Sequence, residues 1–252
     1  FQVLNGHTSG VTGIQFSPFN GGRYLCSGSF DKTIRLWDVE TSKTLHVFNG
    51  HTHYVWCVDF SPLESSSNSN NSNSNSVGVI GGGGYTICSG SCDNNICLWD
   101  VESTKLLMTF KGHEDAVRSV KYSRNVTGVG SSGNMICSGS SDKTVRLWDV
   151  RTNKQIHVFK GHTSIVWCVE NSPFVSGNVN ENKSDSDGNI ICSGSSDNTI
   201  RFWDIRMNKQ LHVIKGDDKN DGGIGCLKFL SHQTNENTKN RANSGCGYNL
   251  CY

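Results

Sequence analysis

Residues 137–149 read CSGSSDKTVRLWD, and the phrase returns three times with small changes: CSGSFDKTIRLWD at 26–38, CSGSCDNNICLWD at 88–100 and CSGSSDNTIRFWD at 192–204. Working outward, a Gly-His pair precedes each copy: Gly6-His7, Gly50-His51, Gly112-His113 and Gly161-His162. Thirteen residues separate Asp38 from His51, Asp100 from His113 and Asp149 from His162, and the same step from Asp204 lands on Gly216-Asp217. From each His to its Trp-Asp aspartate the distance instead varies, 31, 49, 36 and 42 residues. A repeat with one fixed half and one elastic half has a loop that is free to grow.

The extra residues fall in one place, after Ser17-Pro18, Ser61-Pro62, Ser123 and Ser172-Pro173 and before the Cys-Ser-Gly runs. The largest, residues 64–84, reads ESSSNSNNSNSNSVGVIGGGG, a low-complexity loop with little to bury. Inside a repeat, Val11, Ile14 and Phe16 mark a first strand, matched by Val55, Val58 and Phe60. Leu25-Cys26 opens a second, Thr33 to Trp37 forms a third, and Leu45 to Phe48 a fourth. Four short strands between turn residues, repeated with no helical period, predict an all-β array. The repeat units run over about 5–49, 50–111, 112–160, 161–215 and a partial 216–252.

Composition narrows the function. With 23 Lys+Arg against 22 Asp+Glu in 252 residues, net charge +1, the chain lacks the basic surface on which nucleic-acid binders rely. No apolar run reaches the roughly 20 residues that span a bilayer, and no signal peptide opens the chain. The sequence starts at Phe1 rather than Met and stops at Tyr252 inside a repeat, which predicts a piece of a longer protein.

Gly-His, V-x-x-V-x-F-S-P, C-S-G-S-x-D and I-R-L-W-D together resemble the WD-repeat family. The resemblance implies a β-propeller, here an open arc of about four complete four-stranded blades plus partial terminal blades. Phe1 to Leu4 aligns with the outermost strand of a preceding blade. The fifth unit supplies a first strand (Ile224, Leu227, Phe229) and the start of a second. An open arc leaves two blade faces without neighbours, at a cost in stability.

The resemblance also implies a hydrogen-bonded tetrad in each blade: His7, Ser27, Asp31 and Trp37; His51, Ser89, Asp93 and Trp99; His113, Ser138, Asp142 and Trp148; His162, Ser193, Asp197 and Trp203. The donor inventory fits a relay in which the indole N–H donates to Ser, Ser to one His nitrogen, and the other His nitrogen to Asp. Ser, His and Asp together also suggest a hydrolase, but nucleophilic catalysis needs an exposed Ser, an oxyanion hole and a pocket. Four copies, each beside a Trp, read as a structural network, with no catalytic residues. In the fifth unit Asp217 stands at the His position and Tyr252 at the Ser position, so that unit lacks the relay.

Other motifs carry less. Gly128 to Gly133 matches G-x-G-x-x-G but lies in an insertion with no following helix. The 11 cysteines recur at strand positions: Cys26, Cys88, Cys137, Cys192 and Cys251 at one, Cys57, Cys168 and Cys226 at another. Repeated strand cysteines act as small buried hydrophobes, and Cys88, Cys92 and Cys97 lack structural zinc spacing. The expectation is no disulfides, no metal, no cofactor and a reducing compartment, cytoplasmic or nuclear. Asn125 and Asn182 match the glycosylation acceptor pattern by chance.

In the family, the loops before the first strand and between the second and third share the docking face around the channel. The positions three and five after each His, and the one before the tetrad Asp, then point there: Gly10, Thr12 and Phe30; Tyr54, Trp56 and Cys92; Ala116, Arg118 and Ser141; Ile165, Trp167 and Ser196. Phe30, Tyr54, Trp56, Arg118, Ile165 and Trp167 are the candidate partner-binding residues, rich in interface hot-spot types. For Trp56 and Trp167 packing between blades is an equal reading. The expected function is a non-catalytic scaffold or adaptor that binds proteins or peptides, with no small-molecule substrate, membrane or direct nucleic-acid contact. The alternatives are the regulatory or substrate-recognition part of a larger enzyme, such as a ubiquitin ligase, kinase or nucleotide-binding protein, and a reader of histone tails or peptides.

Overall fold

The computed structural model describes residues 2–18, 20–61, 85–123, 135–172, 190–216, 222–231 and 248–252. The low-complexity loop 64–84, the Gly128–Gly133 motif, Asn125, Asn182 and Asp217 lie outside the described residues.

Each Gly-His to Trp-Asp unit, with the strand after it, becomes one antiparallel four-stranded sheet in meander order. The first holds β1 (Val11–Phe16), β2 (Tyr24–Ser29), β3 (Ile34–Asp38) and β4 (Lys43–Phe48). The second holds β5 (Val55–Phe60), β6 (Thr86–Ser91), β7 (Ile96–Asp100) and β8 (Leu106–Phe110). The third holds β9 (Val117–Ser123), β10 (Met135–Ser140), β11 (Thr144–Asp149) and β12 (Lys154–Lys160). The fourth holds β13 (Val166–Asn171), β14 (Ile190–Ser195), β15 (Thr199–Asp204) and β16 (Lys209–Lys215). A two-stranded sheet follows, β17 (Lys228–Ser231) with β18 (Tyr248–Cys251). The first strands β1, β5, β9 and β13 are neighbours in succession, so the sheets fan round a common axis as an open propeller arc.

The core lies between the sheets. Buried residues of blade 1 (Ile34, Leu36, Phe48) interleave with Val55, Val58, Phe60 and Trp99 of blade 2. The same layering joins blades 2 and 3, and blades 3 and 4. Ile224 and Leu227 close over Cys192 and Ile200 of blade 4. In blades 2 to 4 the Trp-Asp indole packs on the aromatic ring that ends the preceding blade, Trp99 on Phe48 at 6.0 Å, Trp148 on Phe110 at 5.9 Å and Trp203 on Phe159 at 5.5 Å. Ring pairs at this separation add to the burial of their area.

The glycine of Cys-Ser-Gly makes this layering possible. A Cβ built on Gly139 would stand 2.7 Å from Val166 Cγ1 and 3.1 Å from Val169 Cγ1, both on the next blade. Gly28 meets Val55, and Gly90 meets Val117, in the same way. The residue after the tetrad Asp takes a positive φ in every blade: Lys32 at 70°, Asn94 at 69°, Lys143 at 70° and Asn198 at 59°. Asparagine at two of these turns is the residue that best tolerates that conformation after glycine.

One expectation changes. Gln2 to Leu4 form no strand, because no described strand lies beside them to accept their hydrogen bonds. Val11, Ile14 and Phe16 are 53%, 60% and 51% exposed, whereas their counterparts Val55, Val58 and Phe60 are 0%, 6% and 4%. The strand is the same; only the neighbouring blade differs.

Candidate functional site

The tetrads have one geometry. In blade 3 Trp148 Nε1 donates to Ser138 Oγ at 2.8 Å, His113 Nε2 lies 2.7 Å from Ser138 Oγ, and His113 Nδ1 lies 2.7 Å from Asp142 Oδ2. The other blades repeat these contacts within 0.2 Å, with His7, His51 and His162 at their centres. An ionised carboxylate only accepts, so Nδ1 carries the proton and Nε2 accepts from the Ser hydroxyl.

Burial and hydrogen bonding set the charges. Burial raises the Asp93 carboxyl, but the His51 ring and the Thr52 and Asn95 backbone N–H groups outweigh it and bring the pKa down to about 2. Asp31, Asp142 and Asp197 are likewise held below the usual carboxylate range against burial. Burial lowers His113 and His162, so their rings stay neutral near pH 7.

These shifts predict a pH profile. The unfolded chain takes up protons on His near pH 6.5 while folded His113 and His162 resist, so acidification below about 6.5 costs stability. The depressed aspartates add a second loss below about pH 4, as unfolded carboxylates protonate first. Thermal melts from pH 8 to 3 are expected to fall in two steps; a melting temperature level or rising from pH 7 to 5 contradicts the neutral rings.

Two further partners in each network went unread in the sequence. Thr33, Thr144 and Thr199, two residues beyond the Asp, donate to its Oδ1 at 2.6, 2.7 and 2.6 Å, with Asn95 taking the place in blade 2. The second Ser of Cys-Ser-Gly-Ser (Ser29, Ser91, Ser140, Ser195) accepts from the Asp backbone N–H. Their fixed place in every repeat was the available signal. Ser89, Ser138 and Ser193 are 0% exposed and each receives an indole N–H, so no substrate carbonyl can reach these hydroxyls.

At the channel mouth the structure brings the candidates together through a β-bulge at the start of each first strand. Pairing passes from Val55–Ser91 to Cys57–Gly90 and skips Trp56; it likewise skips Thr12, Arg118 and Trp167. A bulged residue leaves the ladder and is re-aimed. Here the aim is the axis, where Arg118 Cζ sits 4.3 Å from the Trp56 ring centroid and 4.9 Å from that of Trp167. The indoles meet edge to face at 6.2 Å; Phe30 stands 5.4 Å from Trp56 and 4.7 Å from Tyr54.

The residue before the tetrad Asp orients each side chain. Trp56 Nε1 donates to Cys92 Sγ at 2.7 Å, Arg118 Nε to Ser141 Oγ at 2.8 Å and Trp167 Nε1 to Ser196 Oγ at 2.5 Å. In blade 1 Thr12 turns instead to the backbone carbonyls of Gly28 and Val55. Ile165 reaches the rim through its carbonyl, which accepts from Ser196 N at 2.9 Å. Phe30, Trp56, Arg118, Ile165 and Trp167 are half-buried and Tyr54 is exposed. The faces of Trp56 and Trp167 pack on Arg118, and both residues are half-buried.

Below the mouth lies a polar layer. Lys121 Nζ stands 3.7 Å from Asp59 Oδ1 and donates to Gln15 Oε1 at 3.4 Å, joining three blades across the axis. Burial raises Asp59; it opposes the Lys121 charge, but Asp59 and Glu170 outweigh it and hold the ammonium. Gln15, Asp59, Lys121 and Glu170 all lie eight residues after their His, the first three between apolar neighbours and Glu170 between Val169 and Asn171, a signal that was legible.

Among the described residues the cysteines are free, and no cluster of three His, Cys, Asp or Glu could hold a metal. Burial pushes Cys57 and Cys168 up to about 12. No helix of the described residues is long and apolar enough to cross a membrane.

Four stacked meanders, each pinned by a His-Ser-Asp-Trp network, define a repeat propeller. The profile of the family described as WD domain, G-beta repeat matches residues 1–38, 42–100, 104–149 and 153–204, and the chain belongs to that family. It is similar to Autophagy-related protein 16 of Arabidopsis thaliana, 32% identical over 123 residues, covering 49% of this chain and 20% of that protein. It is also similar to Cell division control protein 4 of Saccharomyces cerevisiae, 29% identical over 164 residues (47% of this chain, 21% of that protein). A Guanine nucleotide-binding protein subunit beta of Zea mays is 32% identical over 127 residues, 48% of this chain and 28% of that protein. The chain therefore spans between a fifth and under a third of these relatives' length.

Proposed function

We propose that this chain is the partner-docking part of a non-catalytic scaffold, presenting the channel mouth to other proteins in a multiprotein assembly. The row Phe30, Tyr54, Trp56, Arg118 and Trp167, contributed by four blades and left partly open, carries this reading. Aromatic and Arg side chains in one cluster are the composition of binding hot spots. Preorganised side chains also lose less entropy on binding than free ones.

The test uses the full-length protein, tagged in its own cells and recovered with its partners. A Trp56→Ala/Arg118→Glu/Trp167→Ala variant is compared, its fold checked by circular dichroism. Specific partners are expected to vanish while the fold persists; an unchanged partner set sinks the reading. A second reading, the regulatory or substrate-recognition part of a larger enzyme, draws on the small share of each relative that the chain covers. A catalytic domain in the full-length sequence would support it.

A further inference from the structure

We propose that the channel mouth recognises an acidic peptide segment. A glutamate or aspartate carboxylate pairs with the open edge of Arg118, and an adjacent apolar side chain rests on Phe30 and Tyr54. This deepens the docking reading above and rests on it.

The argument starts from what the fold does to one cation. The bulge lifts Arg118 out of the strand ladder, Trp56 and Trp167 flank its guanidinium, and Ser141 Oγ holds its Nε at 2.8 Å. The two Nη groups, by contrast, have no hydrogen-bond partner among the described residues and are not among the buried unsatisfied atoms, so they meet solvent. No described carboxylate lies within 4.0 Å of this guanidinium, whereas Arg146 pairs with Asp142 and Arg23 with Asp38. The nearby Asp115 carboxylate accepts from Ala116 N at 2.6 Å.

A guanidinium fixed in plane with both Nη groups free matches the two oxygens of a carboxylate, and its ordering cost is already met by the fold. Charge complementarity selects the class of ligand. A cationic side chain would find the space between the two indoles filled and a positive charge beside it. A nucleic acid would need a row of cations, whereas the described rings flanking Arg118 are indoles, on a chain of net charge +1. The exposed Tyr54, tilted against Phe30 at 4.7 Å, with Phe30 in turn edge to face with Trp56, supplies the apolar shelf.

The test measures fluorescence anisotropy of a labelled octapeptide, with a core of phenylalanine, glutamate, aspartate and leucine in a glycine–serine background, on the full-length protein. Its twin with glutamine and asparagine is expected to bind about tenfold more weakly, the loss of a charge-assisted pair. Arg118→Gln should lose about the same factor. Arg118→Lys, which keeps the charge without the planar fork, should lose less but still be weaker than the parent. The Trp56 and Trp167 indole N–H signals of the unaltered protein should shift in NMR titration with the acidic peptide, a readout that needs no variant to fold.

Equal binding of acid and amide peptides overturns the proposal. So does unshifted indole signals at about 1 mM peptide, the weak end of the affinity scale, or capture of a phosphoserine peptide alone. If the peptides fail while cellular partners still depend on Trp56 and Trp167, the docking face stands and its acidic specificity falls. If neither responds, both fall.

Discussion

Replacing His113 with alanine is expected to lower stability by about 3 kcal/mol, because it breaks a buried network from its centre. The side chain is 1% exposed and serves both Ser138 and Asp142. Without it Ser138 keeps only the Trp148 indole, and the Asp142 carboxylate loses the donor at 2.7 Å while remaining in its sheltered site. For a chain of this size that corresponds to a fall of about 6–12 °C in melting temperature. Trp148→Phe, which keeps most of the packing and removes one N–H donor, should cost only about 1 kcal/mol. A His113→Ala protein that melts with the parent would mean that the tetrad contributes nothing to this blade.

Gly139→Val should be comparably severe, about 3 kcal/mol, by forcing blades 3 and 4 apart. The built Cβ alone reaches 2.7 Å from Val166 Cγ1, before the two added methyls are counted. Val166 and Val169 are 0% and 2% exposed, so neither has space into which to withdraw. Shortening the opposing side chain should then help: Val166→Ala destabilises the parent but partly rescues Gly139→Val. Such coupling in a double-mutant cycle is the signature of direct contact. Strict additivity would place the damage elsewhere than at the blade interface.

The fold was legible because the repeat states it four times. Cys-Ser-Gly-Ser-x-Asp to Trp-Asp gave the second and third strands, and the sheets formed around them. The tetrad members were also legible, since each recurs at fixed places relative to the Trp-Asp. What escaped was geometry that lies between repeats. Val55 and Val58 are three apart, yet both face the neighbouring blade, which strict alternation forbids. The bulge at Trp56 resolves the conflict, and the same odd spacing in every unit was its written trace. The pairing of Arg118 with two tryptophans from flanking blades left no local trace, because three separate strands build it. Nor could spacing show that Val11, Ile14 and Phe16 would be exposed, since exposure depends on a neighbour rather than on the strand itself.

The most direct measurement places a photo-crosslinking phenylalanine derivative at Tyr54, on the mouth, or at Glu102, in the β7–β8 turn at the opposite end of the blade, in the full-length protein in its own cells. The account predicts a discrete crosslinked protein from position 54 that disappears when Trp56→Ala and Trp167→Ala are added, with no such product from position 102. Crosslinks arising from position 102 alone, or a position 54 product indifferent to the tryptophans, would contradict a partner seated at the channel mouth.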